Sequence, residues 1–398
     1  MVDQPVALPG VPSNIGTAVI KVVGVGGGGC NAVSRMFRDR IPEVEYICIN
    51  SDQQALERVN VPLRIRVGDI TARGLGVGGD PARGRSCAEE SRDALKAALE
   101  GSDLIFVAAG MGGGTGTGAA PVVAEVAQEL GALVVGVVTK PFGFEGSARM
   151  KKAIQGIEQL RQKVDTLIVI PNDRLLALSD ERLTMENAFR VADGVLRQGV
   201  QAISELILIP GEINLDFADV RAIMENAGPA WMAIGHGKGE NRAIQAAEEA
   251  LNSPLLEVTI NGATGVLLNV TGGPDMTLAE VNQAAEVVSN MVHPDANIIF
   301  GTVTDPKMEA EVKLTLIATG FSAEGEKPRD RSAEARQALA NDEDLSVPPF
   351  LRHHPSVRKL AGRPAGGDGY GNISLNESVP APALRQQPVP ISSAPSRR

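Results

Sequence analysis

Gly110-Met111-Gly112-Gly113-Gly114-Thr115-Gly116-Thr117-Gly118 is the stretch that decides how this chain folds. It follows an apolar, strand-like run, Leu104 to Ala109, and opens a helical stretch expected around Ala119 to Leu130. Six glycines in nine residues leave consecutive backbone amides unobstructed, and Thr115 and Thr117 add hydroxyl donors, so the stretch reads as a phosphate cradle. A second candidate lies upstream. Gly24-Val25-Gly26-Gly27-Gly28-Gly29 satisfies G-x-G-x-x-G between the apolar run from Ala18 and a helix expected at Asn31 to Phe37. Taken alone, that pattern fits dinucleotide binding or a tight strand-to-helix turn. Both loops leave the carboxyl ends of expected parallel strands, where α/β sheets bind ligands, and could converge on one polyphosphate. The chain has no G-x-x-x-x-G-K-[ST], which argues against an ordinary P-loop NTPase.

Around these loops, further strand-like runs fall at Val44 to Ile49, Leu63 to Val67, Leu133 to Thr139 and Thr166 to Ile170. Helical stretches are expected around Ala82 to Leu99 and Arg149 to Leu160. Alternation of this kind predicts an α/β domain with a mostly parallel sheet. From Met185 to Ile209, apolar residues recur at helical spacing (Phe189, Ala192, Leu196, Val200, Ile203, Ile207), predicting a long helix that connects two domains. Beyond it, strands at Trp231 to Gly235, Gly265 to Val270, Ala296 to Val303 and Val312 to Ala318 alternate with helices around Ala243 to Leu251 and Leu278 to Met291, as in a smaller α+β domain.

Composition bounds the function. Of 398 residues, 43% are hydrophobic and 3% aromatic, enough for a packed core built mainly from Val, Ile, Leu and Ala. A net charge of −10 argues against a general nucleic-acid binder. The charge is unevenly divided: the 76 residues from Ala323 carry 11 basic and nine acidic side chains and 10 prolines, leaving an acidic body of −12 before a structure-poor tail of +2. Cys30, Cys48 and Cys87 lack the spacing of a disulfide frame or zinc site and read as reduced thiols of a cytoplasmic protein. No signal peptide or membrane span is expected.

GGGTGTG, from Gly112 to Gly118, resembles the signature of the tubulin and FtsZ superfamily. GVGGGGCNAV, TKPFGFEG, VIPNDRLL, VLRQGVQ, NLDFADV, GVLLNVTGG and DANIIFG occur in the order of its bacterial cell-division branch, the FtsZ family, over about Ile20 to Phe321. The resemblance implies a Rossmann-like GTPase domain with a parallel sheet, a long central helix and a smaller α+β C-terminal domain. It implies boundaries at 18–184 for the GTP-binding domain, 185–209 for the helix and 210–322 for a polymerisation domain, after a flexible 1–17. It further implies a GTPase that polymerises head to tail into protofilaments of the division ring at midcell, using GTP/GDP and Mg2+ held mainly by phosphates and water, with no dedicated protein metal ligands.

Carried over residue by residue, the resemblance has Gly27, Gly28, Gly29, Cys30 and Asn31 cradle phosphate together with Gly114, Thr115 and Gly116. Glu145 is similar to the ribose contact, Arg149 to its basic partner, and Asp193 to the carboxylate that reads the N1 and N2 donors of guanine. Asn214, Asp216 and Asp219 resemble the synergy loop that polarises the attacking water, although Asp216 and Asp219 also suit the cap and first turn of a helix starting at Phe217. A helix of about 20 residues spans roughly 30 Å, so this loop cannot reach its own subunit's phosphates and implies a second subunit. Two positions depart from the family pattern: Asp80 stands where Asn is usual and is expected to bring a carboxylate near the γ-phosphate, and Gly194 replaces the customary Asn or Asp beside the base-reading position.

In the tail, 323–341 reads as a disordered linker. The segment 342–353 contains Asp344-Leu345-Ser346-Val347-Pro348-Pro349-Phe350-Leu351-Arg352, an apolar cluster similar to the family's peptide that docks on a membrane tether such as FtsA. Here 46 residues follow Arg352, and 354–398 reads as a disordered basic extension. Two alternatives stay open at this point: an NAD-dependent oxidoreductase, resting on the first glycine loop alone, and a non-catalytic nucleotide-binding scaffold, for which Asp80 is the hint.

Overall fold

In the computed structural model, residues 18–321 are described except for 42, 176–183, 210–214, 257–259 and 309 and the side chains of 39 and 185. The linker, the docking peptide with Asp344 and Arg352, the basic extension and Asn214 all lie outside the described residues.

The first half is built as the alternation predicts: β1 (Ile20–Val25), α1 (Gly26–Met36), β2 (Val44–Asn50), α2 (Gln53–Glu57), β3 (Leu63–Arg66), α3 (Pro81–Glu90), α4 (Arg92–Leu99), β4 (Leu104–Gly110), α5 (Thr115–Glu129), β5 (Leu133–Lys140), α6 (Ser147–Arg161), β6 (Thr166–Pro171) and α7 (Asn172–Leu175). The second half holds α8 (Met185–Leu208), α9 (Phe217–Met224), β7 (Gly228–Lys238), α10 (Arg242–Leu251), β8 (Gly265–Gly272), α11 (Leu278–Ser289), β9 (Asn297–Thr304) and β10 (Glu311–Thr319).

Strands β1 to β6 are parallel; β1, β4, β5 and β6 are buried on both faces, whereas the edge strand β3 is largely exposed. Ile20 and Val22 of β1 enter the core beneath α1 and α8, while Val23 and Val25 enter the core beneath α3 to α6. The strand order is β3-β2-β1-β4-β5-β6-β7-β10-β8-β9. The two halves expected from sequence therefore share one sheet, because β7 continues it beside β6 through Thr166–Gly228 to Ile168–Ala230. Past β7 the pairing turns mixed: β10 is antiparallel to β7 and β8, and β9 is parallel to β8. Helix α8 lies on one face and its buried Ala192, Leu196, Val200 and Ile203 join a core that also takes in Leu267 and Ile317 of the second half.

Local details depart from the sequence reading for identifiable reasons. The helix expected over Ala82 to Leu99 is two helices broken at Ser91, whose Oγ accepts the Gly68 amide at 3.1 Å and so ties the break to the loop after β3. Helix α10 is rich in alanine and sits directly on β7: a Cβ on Gly235 would lie 1.9 Å from the Ala246 carbonyl oxygen. Arg242 fastens α10 to α11, donating to Asp275 at 2.6 Å and Glu280 at 2.7 Å. These bonds hold the Glu280 carboxyl down at about 2.

Because α10 has no room to retreat at Gly235, Gly235→Ala is expected to lower the unfolding free energy by about 1–3 kcal/mol, as overpacking does. A urea midpoint unchanged from the parent would show that the contact is not tight.

Candidate functional site

The two glycine turns meet backbone to backbone. A Cβ on Gly26, whose φ is +70°, would lie 2.5 Å from the Gly116 nitrogen, and one on Gly29 would lie 2.2 Å from the Ala108 carbonyl oxygen. Helix α1 begins at Gly26, inside the glycine run and five residues before the expected start. Its unpaired N-terminal amides are therefore those of Gly26, Gly27 and Gly28. In α5, Gly118 N donates to Gly114 O at 3.0 Å, which leaves the amides of Thr115, Gly116 and Thr117 unpaired within that helix. A Cβ on Gly27 or Gly113 would meet nothing within 4 Å, so the surface between the turns is open amide backbone.

A cleft of ≈ 460 Å³ lies over these turns, a size suited to a small-molecule ligand. Its floor takes Gly27, Gly28, Gly114, Thr115 and Gly116; one wall comes from β2's end and the Leu75–Gly79 loop, the other from Glu145, Arg149 and α8. The structure thus brings together eight of the expected site residues: Gly27, Gly28, Gly114, Thr115, Gly116, Glu145, Arg149 and Asp193. Glu145 accepts the Phe142 amide at 2.9 Å and pairs with Arg149 at 3.1 Å.

Three expected phosphate contacts sit elsewhere. Gly29 is buried against β4. The Cys30 thiol is buried and donates to the Gly24 and Ile49 carbonyl oxygens, both at 3.4 Å, and Asn31 is exposed on the side of α1. The neighbouring Cys48, followed by burial, holds the Cys30 thiol well above the usual thiol range. The starting point of α1 explains the shift: beyond its first turn, amides belong to the helix. Thr117 also differs from expectation, since its Oγ1 accepts the Gly112 amide at 2.8 Å and shapes the loop from behind. Thr115 Oγ1 shares a 2.6 Å hydrogen bond with Ser51 Oγ.

Asp193 hangs from α8 at the opposite end of the cleft with its side chain 14% exposed. Burial pushes its carboxyl up to about 6, against the pull of the Arg35 guanidinium, which donates to Oδ2. Two neighbours were not read as site residues from sequence, where Phe189 stood only among the apolar positions of the long helix. Asn172 lines the cleft with its Oδ1 buried and without a hydrogen-bond partner, and Phe189 lines it while packing edge-on to Phe142. Asn172 stands within the quoted VIPNDRLL run, but nothing in the spacing says that β6 ends on the cleft.

The departures have simple structural accounts. Asp80 caps α3, Oδ1 accepting the Ala82 amide at 2.9 Å, as the usual Asn would. The cleft wall there is Gly76 to Gly79. A Cβ on Gly194 would meet nothing within 4 Å, so the missing side chain leaves open space beside Asp193.

Asp216 and Asp219 lie elsewhere. Both are exposed at the start of α9, and Asp216 makes no side-chain capping bond despite its cap position. Helix α9 is fixed to the amino ends of the parallel strands. Arg221 donates to the Gly131 carbonyl oxygen just before β5, and Thr166, the first residue of β6, donates to the Met224 carbonyl oxygen. The cleft occupies the other end of the same strands, at Thr139 and Asn172. Helix α8 runs away from the cleft for 15 residues after Asp193, about 22 Å.

Amide-rich helix starts at the carboxyl edge of a parallel sheet define an anion-binding α/β protein. Residues 19–180 match the family model for "Tubulin/FtsZ family, GTPase domain", and residues 228–322 match "FtsZ family, C-terminal domain". Among solved structures, the chain is similar to an empty FtsZ dimer from M. jannaschii at 46% identity, covering 77% of this chain and 89% of that one with a TM-score of 0.75. A mutant of that FtsZ gives 46% identity, 77% and 92% coverage and a TM-score of 0.74. CetZ2 from Haloferax volcanii, captured as a GTPγS-bound protofilament, shares the fold at 19% identity, 82% and 99% coverage and a TM-score of 0.66. The chain belongs to the FtsZ family of tubulin-like GTPases.

In the nucleotide-free protein the Asp193 carboxyl is expected to titrate near 6, two units above an ordinary Asp. Its folded value exceeds the unfolded one, so the stability this group contributes is complete below about pH 4 and is lost as pH rises through 6. Carboxyl-carbon NMR of the protein and of Asp193→Asn checks this; a titration near 4 would contradict the buried placement.

Proposed function

We propose that this chain binds GTP in the cleft and hydrolyses it only when a second copy stacks head to tail, building protofilaments of a cell-division ring. The observation that carries this reading is the separation of the two sets of groups: the amide turns stand at the carboxyl ends of the parallel strands, while Asp216 and Asp219 stand at their amino ends. One molecule cannot bring them together, but a repeating head-to-tail contact can, and such a contact does not close. Leu75 and Phe144, 79% and 58% exposed, supply apolar surface around the cleft for the incoming subunit.

In this reading the amides of Gly26 to Gly28 and Thr115 to Thr117 hold the phosphates. Glu145, steadied by Arg149 and the Phe142 amide, faces the ribose. Asp193 accepts from guanine N1 and N2, with the orphan Asn172 Oδ1 as a further acceptor and Phe189 against the ring. Adenine offers no donor pair to Asp193 and would leave the buried carboxylate badly matched. Mg2+ would take its ligands mainly from the phosphates and water. Asp216 and Asp219 of the incoming copy, with Asn214 beside them in the chain, orient and polarise the attacking water, and the in-line geometry supplies the rate. Among the described residues no helix is long and apolar enough to cross a membrane. We assign attachment at midcell to Asp344 to Arg352 docking on a membrane tether such as FtsA.

Asp216→Ala and Asp219→Ala are expected to bind GTP and assemble as the parent does but to release phosphate at least about 100-fold more slowly, the scale of a lost water-orienting group. Their filaments should outlast those of the parent in light scattering. Parental turnover in either variant would remove these carboxylates from the mechanism.

A further inference from the structure

The wall of the cleft nearest the second glycine turn is a loop with almost no side chains to hold it. Five of the seven residues from Arg73 to Gly79 have positive φ: Arg73, Gly74, Gly76, Gly78 and Gly79. A Cβ on Gly78 or Gly79 would meet nothing within 4 Å, and Leu75 is 79% exposed. Near its start the loop is tied to the end of β2, with Gln53 N donating to Gly74 O at 3.0 Å and Gly76 N to Ser51 O at 3.2 Å. At its far end a single long side chain reaches across from α6: Lys152 Nζ donates to the Gly79 carbonyl oxygen at 2.7 Å, a charge-assisted bond. Between these ties, Val77 is buried against Gly114, where a Cβ would lie 2.4 Å from Val77 Cγ2. The shape of this loop is thereby coupled to the amide turn of α5, far from Asp193.

We propose that Lys152 is a positioning residue that latches the Arg73–Gly79 loop against the phosphate end of the cleft, and that the chain distinguishes a nucleoside triphosphate from a diphosphate through this latch. A loop with four glycines, all at positive φ, among seven residues has many accessible conformers, so its closed shape depends on such ties. A terminal phosphate would meet this wall; a diphosphate, seated on the two amide turns, would not. This inference rests on the cleft being a nucleotide site.

The test uses the full chain, with Lys152→Met and Lys152→Arg, below the concentration at which assembly begins. Affinities are measured for GDP and for a GTP analogue whose β,γ-bridge resists hydrolysis, and hydrogen exchange is followed at the Leu75–Gly79 amides without nucleotide. Lys152→Met is expected to weaken the triphosphate analogue about tenfold while leaving GDP within about twofold, the scale of one charge-assisted hydrogen bond. Its loop amides should exchange several-fold faster, and Lys152→Arg should restore both. Equal losses for both ligands, or no loss for either, would overturn the latch. Unchanged exchange in Lys152→Met would overturn it whether or not nucleotide binds. Failure of the parent chain to bind either guanine nucleotide would instead defeat the nucleotide reading and the latch with it.

Discussion

The architecture depends on two helix starts pressed together without side chains. A methyl group on Gly26 would lie 2.5 Å from the Gly116 nitrogen, and one on Gly116 would be crowded both by its own loop, 2.8 Å from the Gly110 carbonyl oxygen, and by the facing turn, 3.2 Å from the Val25 carbonyl oxygen. This contact points two sets of unpaired amides at one spot, where partial positive charge accumulates without a basic side chain. An acidic body of −12 can bind a polyphosphate on such terms, because short-range donors replace long-range attraction. It also gives the molecule a direction: the anion site can only be at the carboxyl edge of the sheet.

The long helix then converts direction into distance. Its first turns supply Ala192, Asp193 and Leu196 to the cleft, and its remainder carries the chain to the opposite edge of the sheet. The continuous sheet through β6 and β7 holds the second half in register with the first. Groups at the two ends cannot meet within one molecule, yet they are held along a common axis. In the proposed assembly, each subunit carries part of the site at either end, and head-to-tail repetition brings the parts together.

Much of this was legible in the chain. The glycine runs are local, and their place after β-branched apolar strands is readable because parallel strands buried on both faces need apolar residues throughout. The strands of the second half and helix α8 were found within a few residues from their apolar runs and from apolar residues recurring at helical spacing. What escaped depended on contacts across the fold. Cys30 and Asn31 fall outside the cleft because α1 starts within the glycines, at Gly26, which packs against Gly116 from the other turn. Asn172 and Phe189 reach the cleft only because β6 ends and α8 begins there. Asp80 also has a role the chain alone did not show: it caps α3, which a Pro at the next position favours.

In the proposed mechanism neither end of the molecule is an enzyme alone. The most direct measurement is phosphate release per molecule across a series of protein concentrations, with GTP and ATP run side by side. Release from GTP is expected to be negligible at low concentration and to rise steeply above a threshold, with little release from ATP anywhere in the series. A rate per molecule that stays flat with concentration would mean that the site is complete within one chain, and equal turnover of ATP would contradict the base recognition assigned to Asp193.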